Sequence, residues 1–497
     1  MTAHSDEETP LLQPDSPLLK PARTPLPWAQ LTILLVLQLA EPLTSQVISP
    51  FAPDLIRNIG ITGGDETKVG YYVGLMHSIF FATQALTVLH WSRISDHLGR
   101  KPIIMTGLTG LSLSMYCFGL SRTFWSLVVS RCLNGALNGN IGVLKSMVAE
   151  ITDSTNLAEA YSYLPLSWLT GATMGPMIGG SLSRPHERFP SVFGHSEFMQ
   201  KYPYFLPCAI PATFSAVAVL VSFFFLKETV VSPVSIHQLL RNPLNKSDHN
   251  DIDGAKISSP LISRKASTKP LPLRRLLIPR VLVSGGNYAL LAIVDICYRS
   301  VQPVYLSTPI ELGGLGLSPP AIGAILSTYG ISNGLLQIFF FAKVIELWGP
   351  KKVHIVGIAS ALPVFALFPI INLLAKAEGY STIVWAALFL QCAISIAINF
   401  CYGSIFMYIT ASSPNKASLG SVNGLAQMSV SIMRAVGPAL ANSLFSISID
   451  QEHHYMGGLF VYWCLAALTC VALWGASLLP AQVWQNEVLV DDDVSES

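Results

Sequence analysis

The stretch SDHLGRKP at residues 95–102 recurs in weaker form as ELWGPKK at residues 346–352, with its acid 250 positions further along. Each copy lies between two apolar runs of about 20 residues, the length that one helix needs to cross a bilayer. The charged and flexible positions of the first copy are Asp96, Gly99, Arg100 and Lys101, and those of the second are Glu346, Gly349, Lys351 and Lys352. A polar turn repeated between apolar runs predicts a membrane protein made of two similar halves.

Working outward from these two turns, the hydropathy of the chain predicts twelve spanning helices. They lie at about 28–50, 70–91, 102–121, 124–149, 160–182, 204–226, 281–306, 320–343, 353–374, 382–410, 420–447 and 457–478. The predicted fold class is therefore an all-α membrane protein with two pseudo-symmetric halves of six helices each.

Polar segments set the predicted domain boundaries. The segment 227–280 is rich in Ser, Pro, Lys and Arg and is too polar to enter a bilayer. The predicted units are a disordered tail at 1–27, a first half at 28–226, a linker at 227–280, a second half at 281–480 and an acidic tail at 481–497.

The composition excludes several classes of protein. Only 12% of the 497 residues are charged, against about 25% in soluble domains. The 30 basic and 29 acidic residues give no net field for a nucleic acid. The eight cysteines lie in apolar runs without CxxC spacing, and the histidines form no ligand pattern, so neither a metal site nor a cofactor is predicted. Hydrolase and nucleotide-binding motifs are missing, which argues against an enzyme.

The basic residues predict the orientation in the membrane. Nineteen of them fall on the side of the termini and the linker, seven on the opposite side, and four inside predicted helices. The positive-inside rule then places both termini in the cytosol. The sequence does not distinguish the plasma membrane from the vacuolar membrane.

Glu41 lies in the middle of the first predicted helix, on one polar face with Gln38 and Ser45. An acid at the bilayer centre costs about 2.5–3.5 kcal/mol on insertion scales, so such residues are rare in spans. A carboxyl that alternates between neutral and charged forms is what proton coupling requires. The alternative is a permanent ion pair with Arg131 or Lys145, and the sequence leaves both interpretations open.

The fourth predicted helix carries Arg131, Asn138 and Lys145 on one polar stripe that also contains glycines. Lys145 could bind an anionic substrate or pair with Glu150. Close helix packing through the glycines is the alternative explanation of the stripe, but it does not account for Lys145.

Two helices of the second half repeat this pattern. Asp295 and Arg299 are four residues apart and can pair along one helix face, which slightly favours a structural role. Asn423, Gln427 and Arg434 form a stripe that can line a cavity or join helices.

Two further sets of residues complete the predicted site. His77 and Gln84 lie seven residues apart in the second helix and can line a cavity, although a lone histidine in a span is more often a packing residue. A small-residue face in the fifth helix consists of Gly171, Gly175, Pro176, Gly179 and Gly180. Such a face lets two backbones approach closely.

At this point three stretches resemble the major facilitator superfamily. SDHLGRKP resembles its cytoplasmic signature, with Ser92 in place of the first glycine. GATMGPMIGG at 171–180 and RCLNGALNG at 131–139 resemble motifs of its drug:proton antiporter branch. LAEPLTSQVISPF at 39–51 and SVNGLAQMSVSIMRAVGPAL at 421–440 look most like the zinc-induced-facilitator-like group.

The resemblance implies roles for these residues. Arg131 would hold the coupling acid or sense its protonation, and the glycines of the fifth helix would act as a hinge and seal. Asp96, Arg100 and Lys101 would form a latch that holds the two halves closed on the cytosolic side, with Glu346 in a degenerate second copy.

The favoured function is proton-coupled efflux of a small organic molecule, a metabolite or a xenobiotic, by a monomeric antiporter with alternating access. Efflux of this kind is typical of multidrug resistance proteins. One alternative is an uncoupled facilitator or importer. The other is a membrane receptor or scaffold that has lost transport and signals through its tail and linker.

Overall fold

A computed structural model describes residues 24–153, 156–230, 273–414, 419–450 and 455–484. The described elements are helices joined by turns. Within these residues, seven helices are by length and composition long and apolar enough to cross a membrane. One of the seven, Pro319–Glu378, contains two crossings joined by a kink.

The first half contains six crossings, in which α5 and α6 together make the fourth. Short helices cover the turns on one side. In chain order the helices are α1 Trp28–Gln46, α2 Ala52–Ile59, α3 Val69–Leu98, α4 Arg100–Gly119, α5 Phe124–Leu137, α6 Asn140–Ile151, α7 Leu157–Leu182, α8 Pro185–Arg188, α9 Pro190–Phe193, α10 Glu197–Lys201 and α11 Phe205–Phe225.

The second half repeats the arrangement with six crossings, preceded by a short helix inside the predicted linker. Its helices are α12 Leu273–Leu276, α13 Pro279–Ser307, α14 Pro319–Ala359, α15 Ala361–Glu378, α16 Thr382–Ser412, α17 Leu419–Ser448 and α18 Phe460–Ser477. Gly349 has a φ of 75° and ends one crossing within α14, and the rest of α14 forms the next crossing together with α15. The predicted fold, with twelve crossings in two halves, is therefore confirmed.

The turn SDHLGRKP is sharper than the sequence predicts. The second crossing was expected to end near residue 91, but α3 continues to Leu98, and α4 begins at Arg100. Gly99 alone joins them, with a φ of 104°. L-residues with side chains rarely adopt this conformation, so glycine is required there.

The fourth crossing is broken, whereas the sequence predicts one helix over 124–149. α5 ends at Leu137, Asn138 has a ψ of 70°, and α6 begins at Asn140. The Trp91 side chain of α3 packs against Gly139 and donates its indole N–H to the Ala136 carbonyl at 2.7 Å. The indole therefore satisfies a carbonyl that the break leaves without a helical partner.

The contacts between the halves are concentrated on one side of the molecule. We call the side where α1 begins and α11 ends the terminal face, and the opposite side the far face. Near the far face, Gly180 of α7 packs directly on Gly323 of α14, and Gly74 of α3 packs on Pro438 of α17. Toward the terminal face, accessible polar residues such as Asn423 mark where the halves separate. We call the region between the halves on this side the central cavity.

Candidate functional site

Glu41 lies in the middle of the molecule and is surrounded mainly by amides. The Gln84 side chain of α3 donates a hydrogen bond to its carboxylate at 3.3 Å. Asn138, at the break between α5 and α6, approaches the same carboxylate. The break thus places a polar residue beside Glu41, and the carboxyl is half-buried rather than sealed in the core.

Two cations act on Glu41 from different halves of the molecule. Lys145 of α6 and Arg434 of α17 both exert a Coulombic attraction on its carboxylate, and they repel each other. Lys145 is exposed and Arg434 is half-buried, so neither cation is sealed in the core. Glu41 therefore lies where charges of the two halves meet.

The sequence leaves two roles open for Lys145, binding of an anionic substrate or pairing with Glu150. Glu150 accepts a bond from Arg100 at 2.8 Å at the terminal face. Five residues separate Lys145 from Glu150 on α6, so the two side chains point in different directions around the helix. The described contacts do not include a pair between Glu41 and Arg131. The charged groups that act on Glu41 in them are Lys145 and Arg434.

Asp295 and Arg299 of α13 form the expected pair, with 2.8 Å between Asp295 Oδ1 and Arg299 Nε. Tyr402 donates its hydroxyl to the other carboxylate oxygen at 2.8 Å. The Arg299 guanidinium also donates to Asn399 at 2.6 Å, and Asn399 donates to Tyr329 at 2.8 Å. Asp295 is only 6% exposed. This carboxylate is therefore fixed inside a closed network.

Several predicted residues lie around the cavity without bonding to these acids. Asn423 is exposed and Gln427 half-buried, so both are accessible from the terminal face. The Trp168 ring of α7, which the sequence did not single out, lies 5.7 Å from the Arg299 guanidinium. That cation–π contact links the two halves close to the cavity.

Arg131 occupies a separate buried site in α5. Arg131 is 1% exposed, and its guanidinium carbon lies 4.7 Å from the centroid of the Phe80 ring. Cys208 and His77 are its neighbours, and His77 Nδ1 bonds the Val73 carbonyl of its own helix at 3.1 Å. His77 is therefore a neighbour of Arg131, whereas Gln84 belongs to the Glu41 site.

The glycines of α7 face two different partners. Gly171, Gly175 and Gly179 pack on α1 just beyond Glu41, and a Cβ at Gly179 would lie 1.8 Å from the Val47 carbonyl oxygen. Gly180, beside them, packs on the second half, where a Cβ would lie 2.5 Å from the Pro319 carbonyl oxygen. Pro176 lies inside the same helix. The motif therefore joins α7 to α1 and to α14.

The turn between α3 and α4 forms a bonded network within the first half. Arg100 donates to Glu150, and also to Ser95 at 2.6 Å. Glu228, after α11, accepts the backbone N–H groups of Arg100 and Lys101 at 2.8 and 3.0 Å and caps α4. The Asp96 side chain lies outside the described part of the structure, and Glu346 is exposed. Whether the turn latches the two halves stays a prediction.

Arg57, after the first crossing, clamps the far face. It donates to Glu66 at 2.8 Å within its own half, and to the Ser307 hydroxyl and carbonyl at 2.6 and 2.9 Å in the other half. Ser307 ends α13, so the guanidinium also meets the negative end of that helix dipole. This contact closes the cavity on the far side.

Arg184 forms a second far-face cluster, but within the first half. Its side chain bonds Asp54 at 2.9 Å, and Tyr204 donates to the same carboxylate at 2.7 Å. Burial lowers the pKa of Arg184, but Tyr204 and Asp54 raise it by more, so the net shift is upward. Arg184 therefore remains charged and pins the turn to α2.

Sequence reasoning missed Trp168, Asn399, Tyr402, Arg57 and Glu228. The isolated Asn399 in an apolar run was a usable signal, as was the Asn138-Gly139 pair, which favours a turn. In the described residues, no group of three His, Cys, Asp or Glu could hold a metal ion. The adjacent histidines 453–454 and most of the tails and linker lie outside the described residues.

Comparison with known proteins gives matches along most of the chain. A family model described as Major Facilitator Superfamily matches residues 34–438. Protein ZINC INDUCED FACILITATOR 1 of Arabidopsis thaliana is 30% identical over 438 residues, which cover 86% of each chain. Major facilitator superfamily multidrug transporter mfsB of Aspergillus fumigatus is 27% identical and covers 90% of this chain and 82% of its own length.

The fold also matches solved structures. A bacterial homologue of the human lysosomal transporter Spinster, in an inward-facing and occupied conformation, superposes with a TM-score of 0.62. It is 13% identical and covers 90% of this chain and 95% of its own. At this identity the match concerns the fold.

Proposed function

This chain belongs to the Major Facilitator Superfamily, and we propose that within it the protein is a proton-coupled exporter of a small organic molecule. The family confirms three sequence predictions: the fold, the resemblance, and a membrane transporter rather than an enzyme. The coupling ion, the direction and the substrate belong to the proposal.

The observation that carries the proposal is the environment of Glu41. Its carboxyl is half-buried, borders the cavity, and is held by Gln84 at 3.3 Å without a bidentate ion pair among the described contacts. Lys145 and Arg434 act on it from nearby. A carboxyl held in this way can gain and lose a proton without leaving a buried charge unpaired, which is what coupling to protons requires.

The inter-half contacts support alternating access. The Arg57 clamp on Ser307 and the packing of Gly180 on Gly323 close the far face. Opening the far face requires these contacts to break while the terminal face closes. Glu41 and its neighbours lie between the two faces and so meet each side in turn.

The orientation proposed is the one that the basic residues predict. The terminal face then faces the cytosol, and the far face is extracellular or lies in the vacuolar lumen. An efflux direction also fits the relative named as a multidrug transporter. The protein is proposed to act as a monomer with its substrate and protons as its only transported partners.

Proteoliposomes with an imposed pH gradient test the proposal. Metabolites that accumulate in cells lacking the protein, compared with the surrounding medium, supply the substrate to be used. We expect substrate flux to follow the pH gradient in the wild-type protein and to lose that dependence in Glu41→Gln.

Two other outcomes have distinct meanings. Downhill flux in both directions that ignores the gradient and a protonophore would establish an uncoupled facilitator. Absence of flux for every metabolite that accumulates, together with stable binding of a partner to the linker, would establish a receptor or scaffold. Either result overturns the proposal.

A further inference from the structure

A groove of about 620 Å³ lies on the outer surface of the first half, apart from the central cavity. Its wall is α4 from Lys101 to Leu113, with Leu137 of α5 and Phe223 of α11 along its sides. Leu113 and Phe223 are 54% and 57% exposed. The groove therefore opens toward the lipid.

The length of the groove matches one leaflet. Lys101 and Leu113 are separated by twelve residues of helix, a rise of about 18 Å. Half of the hydrocarbon core is about 15 Å thick. Because Lys101 follows the first residue of α4 at the terminal face, the groove runs from the headgroup level to about the bilayer centre.

The groove surface suits an acyl chain. Its two uncharged polar residues, Thr106 and Thr109, each donate their hydroxyl to the carbonyl four residues earlier, at 2.9 and 2.8 Å. These hydroxyls are therefore satisfied inside α4, and the threonines offer methyl groups to an occupant. The other walls are largely aliphatic and aromatic.

Charge is placed at one end of the groove. The Lys101 ammonium donates to the Phe223 carbonyl at 2.9 Å and lies 5.9 Å from the Phe223 ring centroid, which holds it at the mouth. An ammonium group has three N–H donors, so this bond leaves capacity for the phosphate of a lipid headgroup. Basic pockets between helices on the cytosolic side are the kind that bind anionic headgroups.

We propose that this groove is a binding site for an anionic phospholipid, with the headgroup on Lys101 and one acyl chain along α4. The proposal takes only the orientation of the terminal face from the proposed function. The inner end of the groove touches Leu137, the last residue of α5. The lipid chain therefore ends against the helix break, and Asn138 follows directly after Leu137 in that break.

Native mass spectrometry of the purified full-length protein tests the site. The probes are phosphatidylserine and phosphatidylcholine with the same acyl chains, titrated separately. We expect one molecule of phosphatidylserine to bind per protein, with a higher affinity than phosphatidylcholine. Lys101→Gln should lower phosphatidylserine affinity about fivefold, as for one basic residue at an anionic membrane surface, and leave phosphatidylcholine unchanged.

A second variant tests the acyl channel. Thr109→Trp places an indole in the groove and should weaken binding of both lipids about tenfold or more, because the acyl chain loses its buried contacts. The matched controls are Lys227→Gln, an exposed base after α11, and Leu373→Trp, a lipid-facing position 65% exposed on α15. Neither control should change either affinity.

Two results overturn the proposal. One is equal affinity of the wild-type protein for the two lipids, and the other is affinities that Lys101→Gln and Thr109→Trp leave unchanged. Both would mean that the groove holds only ordinary surrounding lipid. A melting temperature measured for each variant separates lost binding from lost folding. Because the experiment measures binding and not flux, its failure is distinguishable from failure of the transport proposal.

Discussion

Glu41 and Asp295 are two carboxylates of the central region, one in each half, and their surroundings differ sharply. Asp295 accepts bonds from Arg299 and Tyr402, both at 2.8 Å, and is 6% exposed. Glu41 is half-buried, and its described bond is a 3.3 Å contact from the neutral Gln84. We therefore expect removal of the Glu41 carboxylate to affect transport, and removal of the Asp295 carboxylate to affect stability.

The difference shows how two similar halves can divide their work. A buried ion pair is expensive to break because each partner leaves an uncompensated charge. An acid next to amides and a water-accessible cavity carries a smaller penalty when it changes its charge. We therefore infer that Asp295 stabilises the second half, while Glu41 supplies the chemistry of transport.

The largest expected effect is that of Glu41→Gln. The amide keeps the shape and can still bond Gln84, but it cannot take up a proton. We expect gradient-driven transport to fall about 10²-fold or more, as for loss of an acid–base group, with an unchanged melting temperature. Flux in proteoliposomes and thermal unfolding in detergent measure the two quantities. A variant that retains its response to the pH gradient would remove Glu41 from the mechanism.

Asp295→Asn should have the opposite effect, with a loss of stability larger than its effect on coupling. Arg299 would lose its carboxylate in a buried site, so the free energy of unfolding should fall by about 3 kcal/mol. Thermal unfolding provides the measurement, and Glu41→Gln is the matched acid-to-amide control. A full loss of coupling in Asp295→Asn at wild-type stability would contradict the division of roles.

The cations near the two acids offer a second pair of matched changes. Lys145→Gln removes a charge from the accessible cavity and should lower flux about tenfold, the effect of roughly 1.4 kcal/mol of lost attraction, without destabilising the fold. Arg299→Gln leaves Asp295 unpaired and should destabilise the protein. Equal melting temperatures for these two variants would show that the contrast is wrong.

The smallest expected effect concerns the far-face clamp. Arg57→Ala removes bonds to Ser307 and should shift the population toward a far-face-open state about fivefold, equivalent to one net hydrogen bond. Spin labels at Ile61 and Glu311, in a background without native cysteines, report the separation of the halves by electron paramagnetic resonance.

Arg184→Ala is the control for this change, because Arg184 bonds Asp54 within one half. It should leave the distance distribution between the labels unaltered. An unchanged distribution in Arg57→Ala as well would mean that glycine packing alone closes the far face.

The sequence predicted the twelve crossings and their two halves because hydropathy and turn motifs are local properties. It also predicted the Asp295–Arg299 pair, which depends on helical spacing alone. The partners of Glu41 depend on how α1, α3, α6 and α17 meet. Spacing could therefore not choose between Arg131 and Lys145, and it could not show that Arg434 of the other half lies nearby.

Other errors have local causes. The fourth crossing was expected to be continuous because its apolar content is high. However, Asn138 and Gly139 favour a turn, and the Trp91 indole stabilises it by donating to the Ala136 carbonyl. The bond from Arg100 to Glu150 was not anticipated either, because the two residues lie 50 positions apart on different helices. Charged groups at helix ends find partners by tertiary packing, which one helix cannot reveal.

Gly99 and Gly349 indicate which features of the two halves are the oldest. They occupy equivalent turns of the two halves, and both have positive φ values, 104° and 75°. Around them the chemistry has diverged, since Arg100 bonds Glu150 while Lys351 bonds the Ser477 carbonyl. If the halves descend from a duplicated ancestral gene, the backbone bend was inherited and its charged partners were free to drift. The bend is then the older feature, and the contacts around it have changed separately in each half.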